Sequence, residues 1–273
     1  MQTDISIIIA VYNNTKWLKM IFNMLQRQTY KAFEVVIADD GSSEESVQTI
    51  KQMIKEVSFP VQHVWHEDNG WQKDIILNKA VVASRSEYLV FLDGDCIPDK
   101  NFVKDHYDLR QQGIVVGGRR VQLPQKMSDD LTPELVADGY LEKKSLSLLF
   151  SKERHSENVL RVPLKIRNIL RICKPKKGGL LGCNFGMYKS DLLKVNGFDE
   201  RFLAPATGED TDLEARLARI GIPVFRHSFI CRVYHRKHKR IERNPNPNIP
   251  IFEENNRLQI GYTPYGINKN EIL

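Results

Sequence analysis

Short runs that are apolar throughout alternate with longer segments of helical spacing over the N-terminal part of the chain. "DISIIIAVYNN" predicts a first buried strand running into a polar loop. "TKWLKMIFNMLQRQ" predicts a helix, with Trp17, Leu18, Ile21 and Leu25 at helical spacing. "FEVVIADDGSS" predicts a second buried strand ending in Asp39, Asp40 and Gly41. "SEESVQTIKQMIKEV" starts a second helix, with Ser42 or Ser43 as N-cap and acids in its first turn. "PVQHVWHE" predicts a third strand, "WQKDIILNKAVVAS" a third helix and "EYLVFLDGD" a fourth strand. The alternation implies an α/β fold: a mostly parallel central sheet flanked by helices on both faces.

Beyond about residue 100 the alternation loosens. "NFVKDHYDLRQQG" predicts a helix, while "IVVGGRRVQL", "LLGCNFGMYK" and "PVFRHSFICRVYH" each predict one strand. "SDLLKVNG" predicts a short helix, and "GEDTDLEARLARIG" a longer one, acidic at its start and closed by Gly221. "PLKIRNILRICK" puts Ile166, Ile169, Leu170 and Cys173 on one helical face, flanked by Lys165, Arg167 and Arg171. After Arg243 the prolines and asparagines predict a loop-like tail.

In such sheets ligands bind beyond the carboxyl ends of the strands. Polar clusters fall there three times: Tyr12-Asn13-Asn14, Asp39-Asp40-Gly41-Ser42 and Asp93-Gly94-Asp95. Asp93 and Asp95, two residues apart at extended spacing, point to the same side. Two carboxylates sharing a site repel and need a cation or a shared proton.

Composition narrows the class. Hydrophobic content of 41% and charged content of 27% are those of an ordinary globular protein. No stretch approaches the roughly 20 apolar residues needed to cross a bilayer. The N-terminus lacks a basic region ahead of its apolar run, so a cytoplasmic location is expected. The four cysteines form no CxxC pair and are expected to be reduced. The net charge is +6, yet seven cations and no acid lie between Val159 and Gly178, so the remainder is close to neutral. That basic stretch has no interleaved aromatics, which argues against nucleic acid. It fits either a solvated face or a contact of residues 159–178 with an anionic membrane surface.

"SIIIAVYNN", "VVIADDGSS", "FLDGD" and "GEDTDLEARLARIG", in this order, resemble a family 2 glycosyltransferase with the GT-A fold, the nucleotide-diphospho-sugar transferase type. "GCNFGMYKSDLLKVNGFDE" is similar to the C-terminal part of galactosyltransferase-like members, bacterial chondroitin-type polymerases among them. The resemblance implies metal-dependent, inverting transfer of a sugar from a nucleotide-sugar donor, with UDP-sugars favoured. The implied acceptor is a glycan or lipid-linked saccharide in surface polysaccharide synthesis, with a polyprenyl diphosphate as the lipid. It divides the chain into a domain over 1–240 and a tail over 241–273. Within the domain, 1–100 is the nucleotide-binding half, and 101–240 the acceptor-side half with a basic insertion at 124–178.

Residue by residue, the resemblance implies that Asp95 ligates Mn²⁺ or Mg²⁺ and that Asp93 binds the ribose or a metal-bound water. His235 resembles a third metal ligand, with His238 competing for the role. Gly94 would let the backbone approach the phosphates. Asp40 would hold the base with Asp39 beside it. Tyr12 would border the uracil over Ala10 and Val11, or be a core tyrosine. Lys73 would meet a phosphate and Asn78 steady its loop, while Leu77 stands where many members carry arginine. Asp210 is implied as the general base and Glu209 as a ligand of acceptor hydroxyls, with Asp212 a simple first-turn acid. "GGLLGCNFG" either lines a sugar pocket or is a tight strand entry. Two rivals stand beside this reading. Nucleotidyl transfer would need a glycine-rich basic loop that "AVYNNTKW" lacks. A catalytically silent sugar-nucleotide or glycan-binding module is opposed by the joint presence of Asp95, Asp210 and His235.

Overall fold

The computed structural model describes residues 3–205, 208–238 and 246–268. Its N-terminal part runs β1 (Ile5–Val11), α1 (Thr15–Gln26), β2 (Phe33–Asp39), α2 (Glu44–Lys55), β3 (Val61–Trp65), α3 (Lys73–Ala83) and β4 (Tyr88–Asp93). There follow β5 (Cys96–Pro98), α4 (Phe102–Leu109), β6 (Val115–Gly117), β7 (Arg119–Gln122) and several short helices. Then come β8 (Lys176–Lys177), β9 (Asn184–Tyr188), the helix Glu209–Arg219, β10 (Val224–Arg226), β11 (Arg232–His235) and a last helix, Asn248–Arg257.

Eight strands form one sheet in the order β3-β2-β1-β4-β9-β6-β10-β8, and three form a second in the order β5-β11-β7. β1 to β4 are parallel, whereas β9 runs antiparallel to β4 and β6, and β8 antiparallel to β10. The apolar run of β1 follows from its central position, with sheet neighbours on both edges and helices on both faces. Ile5, Ile7 and Ile9 pack with α1 and with Ile50 and Met53 of α2. Ile8, on the other face, joins Ile76, Ala80 and Val81 of α3 and Leu213 and Leu217 of the helix Glu209–Arg219. Period-two alternation thus sorts one strand between two cores.

The registers Val11 with Asp39 and Ala10 with Asp93 bring the carboxyl ends of β1, β2 and β4 level. All three polar clusters therefore open on the same edge. Ser43 caps α2, accepting a hydrogen bond from Ser46 N at 3.3 Å, while Ser42 Oγ accepts from Asn13 N at 2.8 Å. The two serines divide the work of closing the helix and holding the neighbouring loop.

Four expectations need correction. "IVVGGRRVQL" and "PVFRHSFICRVYH" each split into two strands in different sheets, β6 and β7, β10 and β11. Asn184 sits at the seam, its Nδ2 donating to the carbonyls of Arg119 at 3.0 Å and Cys231 at 2.7 Å. The tail is not all loop: Asn248–Arg257 is helical. Pro247 is its N-cap and Pro250 lies in the first turn, where a missing N–H costs no helical bond. Asp212 is not a simple first-turn acid either. It is buried, 2.6 Å from Arg216 Nε and 2.8 Å from Asn255 Nδ2 of the tail helix. Residues 241–245 and 269–273 of the expected tail lie outside the described residues.

Two buried histidines stand near the seam. His106 Nε2 is 3.2 Å from Asn184 Oδ1, and the Nδ1 atoms of His106 and His227 have no hydrogen-bond partner among the described residues. Burial holds both imidazoles down at about 4 against an ordinary 6.5. The folded state then binds fewer protons than the unfolded chain between these values, so stability is lost as pH falls through that window. Each histidine is expected to cost about 2 kcal/mol between pH 7 and pH 5. Urea midpoints at the two pH values measure this. His106→Gln should lose about 2 kcal/mol less than the parent over that interval, and an equal loss in both would refute the assignment.

Candidate active site

Beyond the level strand ends lies a cleft of about 280 Å³. Ala10, Val11, Tyr12 and Asp40 line one end of it, and Asp93, Gly94, Asp95, His235 and His238 also line it. Tyr12 is half exposed and its hydroxyl donates to Asp68 Oδ2 at 2.9 Å, so it is a wall residue and not a core one. Asp40 Oδ1 lies 2.8 Å from His66 Nε2, and Asp40 Oδ2 accepts from Gln72 N at 3.1 Å. Burial outweighs these bonds and lifts the Asp40 carboxyl above its usual range.

The second sheet builds the other end. β5 pairs antiparallel with β11 in the register Cys96 with His235, and Arg236 N donates to Asp95 O at 3.0 Å. His235 Nε2 comes to 3.5 Å and His238 Nε2 to 3.3 Å from Asp95 Oδ2. One donor atom from each of the three residues lies within 4.8 Å of the others. A carboxylate and two imidazoles suit a divalent transition ion such as Mn²⁺. Burial holds His235 below the ordinary imidazole range, which favours the neutral, metal-binding form. Burial pushes the Asp95 carboxyl up, but the His238 hydrogen bond and the nearby His235 outweigh it, and it lies below its usual range. An ionised carboxylate beside neutral imidazole is the state a cation requires. Gly94 has a specific reason: a Cβ there would stand 2.5 Å from the Ala10 carbonyl oxygen. The close approach is to β1.

Toward the helix Glu209–Arg219 the cleft adjoins a narrow recess lined by Lys73, Asp93, Gly182, Glu209 and Asp210. Lys73 Nζ donates to Asp93 Oδ1 at 2.8 Å and to Glu209 Oε1 at 2.7 Å. Burial opposes the ammonium, yet the two carboxylates outweigh it and hold Lys73 charged. Burial raises the Glu209 carboxyl despite Lys73. Asp210 Oδ2 accepts from Gly182 N at 3.1 Å. A Cβ on Gly182 would meet Glu209 Oε1 at 3.1 Å, so a larger residue there would press on the Glu209 carboxylate. The bond ties the "GGLLGCNFG" stretch to the acid pair.

Residues 6–188 match the family "Glycosyl transferase family 2", and residues 172–239 match the N-terminal domain of galactosyltransferase. The chain belongs to glycosyl transferase family 2. Escherichia coli chondroitin synthase is 25% identical over 98% of this chain, which spans 40% of that protein's length. Pasteurella multocida chondroitin synthase is 28% identical over 78% of the chain and 23% of its own length. Among solved structures, Staphylococcus aureus TarS 1-349 in complex with UDP-GlcNAc aligns with a TM-score of 0.56. It is 18% identical, over 94% of this chain and 65% of that one. The mannosyltransferase PcManGT from Pyrobaculum calidifontis, in complex with GDP-Man and Mn²⁺, aligns at 0.55 with 14% identity, over 95% and 63%. Likeness at these identities shows the fold, the GT-A α/β arrangement.

In this family 2 chain Ala10, Tyr12, Asp40, Lys73, Asp93, Gly94, Asp95 and His235 share the cleft, with Glu209 and Asp210 in the adjoining recess. Asp39 and Asn78 do not line it. Asp39 is fully buried behind Asp40, accepting from Ser42 N at 2.9 Å and pairing with His63 Nε2 at 2.8 Å. Asn78 is buried between α3 and the loop after Gly197, bonded to Phe198 N and O, both at 2.9 Å. Both residues brace the site from behind. Asn14 of the first polar cluster donates from Nδ2 to Gly94 O at 3.3 Å, while sequence reasoning missed Trp71, an aromatic beside a glycine in the loop before α3. It also missed His66 and Asp68, which meet Asp40 and Tyr12 only through the tertiary fold. Asp74 was missed too. It is buried with no hydrogen-bond partner for either oxygen among the described residues, and burial, followed by the Glu209 charge, pushes its carboxyl well up.

Proposed function

We infer that this chain transfers a sugar, with inversion, from a nucleotide-diphospho-sugar to a hydroxyl of a saccharide acceptor. A UDP-sugar is the favoured donor and surface polysaccharide synthesis the setting, with a lipid-linked saccharide within the acceptor class. The observation that carries this reading is the convergence of Asp95, His235 and His238 beside the Lys73-Asp93-Glu209 cluster, in one cleft with Asp40 and Tyr12. The aligned structures, one in complex with UDP-GlcNAc and one with GDP-Man and Mn²⁺, support a nucleotide-sugar and a metal.

In this reading Asp40 and Tyr12 hold the base, and Asp95, His235 and His238 hold Mn²⁺ or Mg²⁺. The bound cation supplies charge neutralisation for the departing nucleoside diphosphate. Asp93 takes the ribose or a metal-bound water. Lys73, held charged at the mouth of the recess, faces the leaving phosphates. Asp210 takes the proton of the acceptor hydroxyl as its oxygen bonds to the anomeric carbon. The bond from that carbon to the phosphate oxygen breaks, and its electron pair leaves with the diphosphate. Glu209, fixed by Lys73, binds neighbouring acceptor hydroxyls. A single base across from the leaving group, with no enzyme nucleophile invoked, supports inversion.

Thermal shift against UDP, GDP, dTDP and CDP, each with and without Mn²⁺, tests the donor site. One nucleotide with metal is expected to stabilise the fold by about 2.7 kcal/mol at 100 times its Kd, a rise of roughly 5–10 °C. Asp95→Ala should abolish that rise. No shift with any nucleotide, from a cooperatively melting sample, overturns the reading.

A further inference from the structure

The helix Leu164–Leu170 is mounted inside out. Its arginine faces in: Arg167 is buried, donating to the carbonyls of Ser228, at 3.2 Å, and Cys173. Leu164 packs beside the small cluster of Val116, Ile230 and Cys231. Ile166, Ile169 and Leu170, at spacings of three and four, face out, with exposures of 45%, 78% and 59%, and Ile172 follows at 43%. Burying these side chains against the fold would have been favourable by about 1.5–3 kcal/mol each. Instead, the helix is held by an arginine and one leucine.

The charges around this face are also unspent. Lys165, Arg171, Lys174, Lys176 and Lys177 are exposed and enter no ion pair among the described residues, and no acid lies between Val159 and Gly178. Lys176 and Lys177 have a second explanation, since β8 is a sheet edge and lysines there deter strand pairing. That account does not reach Lys165, Arg171 or Lys174. A polyanionic glycan would use the cations and leave the isoleucines and Leu170 in water. A bilayer bearing anionic headgroups uses both.

We propose that the outward face of Leu164–Leu170, with Ile172 and the surrounding cations, docks on an anionic lipid bilayer. The apolar side chains enter the boundary between headgroups and acyl chains, and the lysines and arginine meet lipid phosphates. The stretch leads within a few residues to Gly179 and Leu180, whose amides both bond Glu214 of the helix Glu209–Arg219 at 2.7 Å. Docking would thus be mechanically continuous with the helix that carries Asp210.

Co-sedimentation of the 273-residue chain with vesicles tests this. Phosphatidylcholine vesicles are compared with vesicles that also contain phosphatidylglycerol. The chain is expected to bind only the latter, and to be released as salt rises toward 1 M, where the screening length falls to about 3 Å. Ile169→Ser with Leu170→Ser should lower partitioning about 10-fold or more. Lys165→Ala with Arg171→Ala should lower it about 5-fold per cation. These residues are exposed, so the variants should melt with the parent. Binding unaffected by the serine substitutions would mean loose charge attraction and overturns the proposal, as does absence of binding to either vesicle. Retention on an acidic polysaccharide without vesicle binding would assign the cations to a glycan. A dimer in solution dissolved by the serine substitutions would assign the face to a second copy of the chain. Either result also overturns it.

Discussion

Asp210→Asn is expected to lower turnover by about 10²–10⁴-fold, the usual contribution of a positioned general base. The substitution is conservative in the fold, because an asparagine oxygen can still accept the Gly182 amide bond. Nucleotide-dependent thermal shift should therefore survive while kcat falls and KM changes little, the signature of an interaction made only in the transition state. The position matters. Asp210 lies in the first turn of its helix, where the N-terminal partial charge attracts a carboxylate. Glu209 is less suited to the role, since its oxygen is engaged by Lys73. An Asp210→Asn variant that keeps parental turnover would move the base elsewhere.

The largest structural effect is expected from Asp212→Ala. Arg216 is fully buried, with Nε on Asp212 and Nη1 on the carbonyls of Val195 and Gly197 at 2.8 and 2.9 Å. Removing the carboxylate leaves a buried guanidinium without its counter-charge and Asn255 Nδ2 without its 2.8 Å acceptor. Breaking such a pair costs about 3–5 kcal/mol, a fall of roughly 10 °C in midpoint for a chain of this size. Because the same helix carries Glu209 and Asp210, loss of activity should track loss of folded protein. A change under about 1 kcal/mol in urea unfolding would show that the arginine finds another partner.

Much of the N-terminal half was legible because burial on both faces demands continuous apolar runs, which stand out between polar strand ends. The "FLDGD" and "GEDTDLEARLARIG" segments were legible for a related reason, as carboxylates clustered where a strand ends or a helix starts. The C-terminal half was less so. Strands of three or four residues leave too little periodicity to show where "IVVGGRRVQL" and "PVFRHSFICRVYH" break. The tail prolines suggested loop, since their harmless place in a first helical turn depends on where the helix begins.

The sequence by itself determined the alternating elements, the acids at the strand ends, and the basic stretch between Val159 and Gly178. Only the tertiary structure decided which groups meet. Asp95 reaches His235 and His238 because β5 pairs with β11, a contact between distant segments that local spacing cannot encode. Lys73 joins Asp93 to Glu209 because α3 and the helix Glu209–Arg219 cover the same sheet face. The apolar stripe of Leu164–Leu170 was visible from its spacing, but its direction was not. Helical periodicity defines a face, and only the packing of Arg167 and Leu164 against the domain turns that face outward.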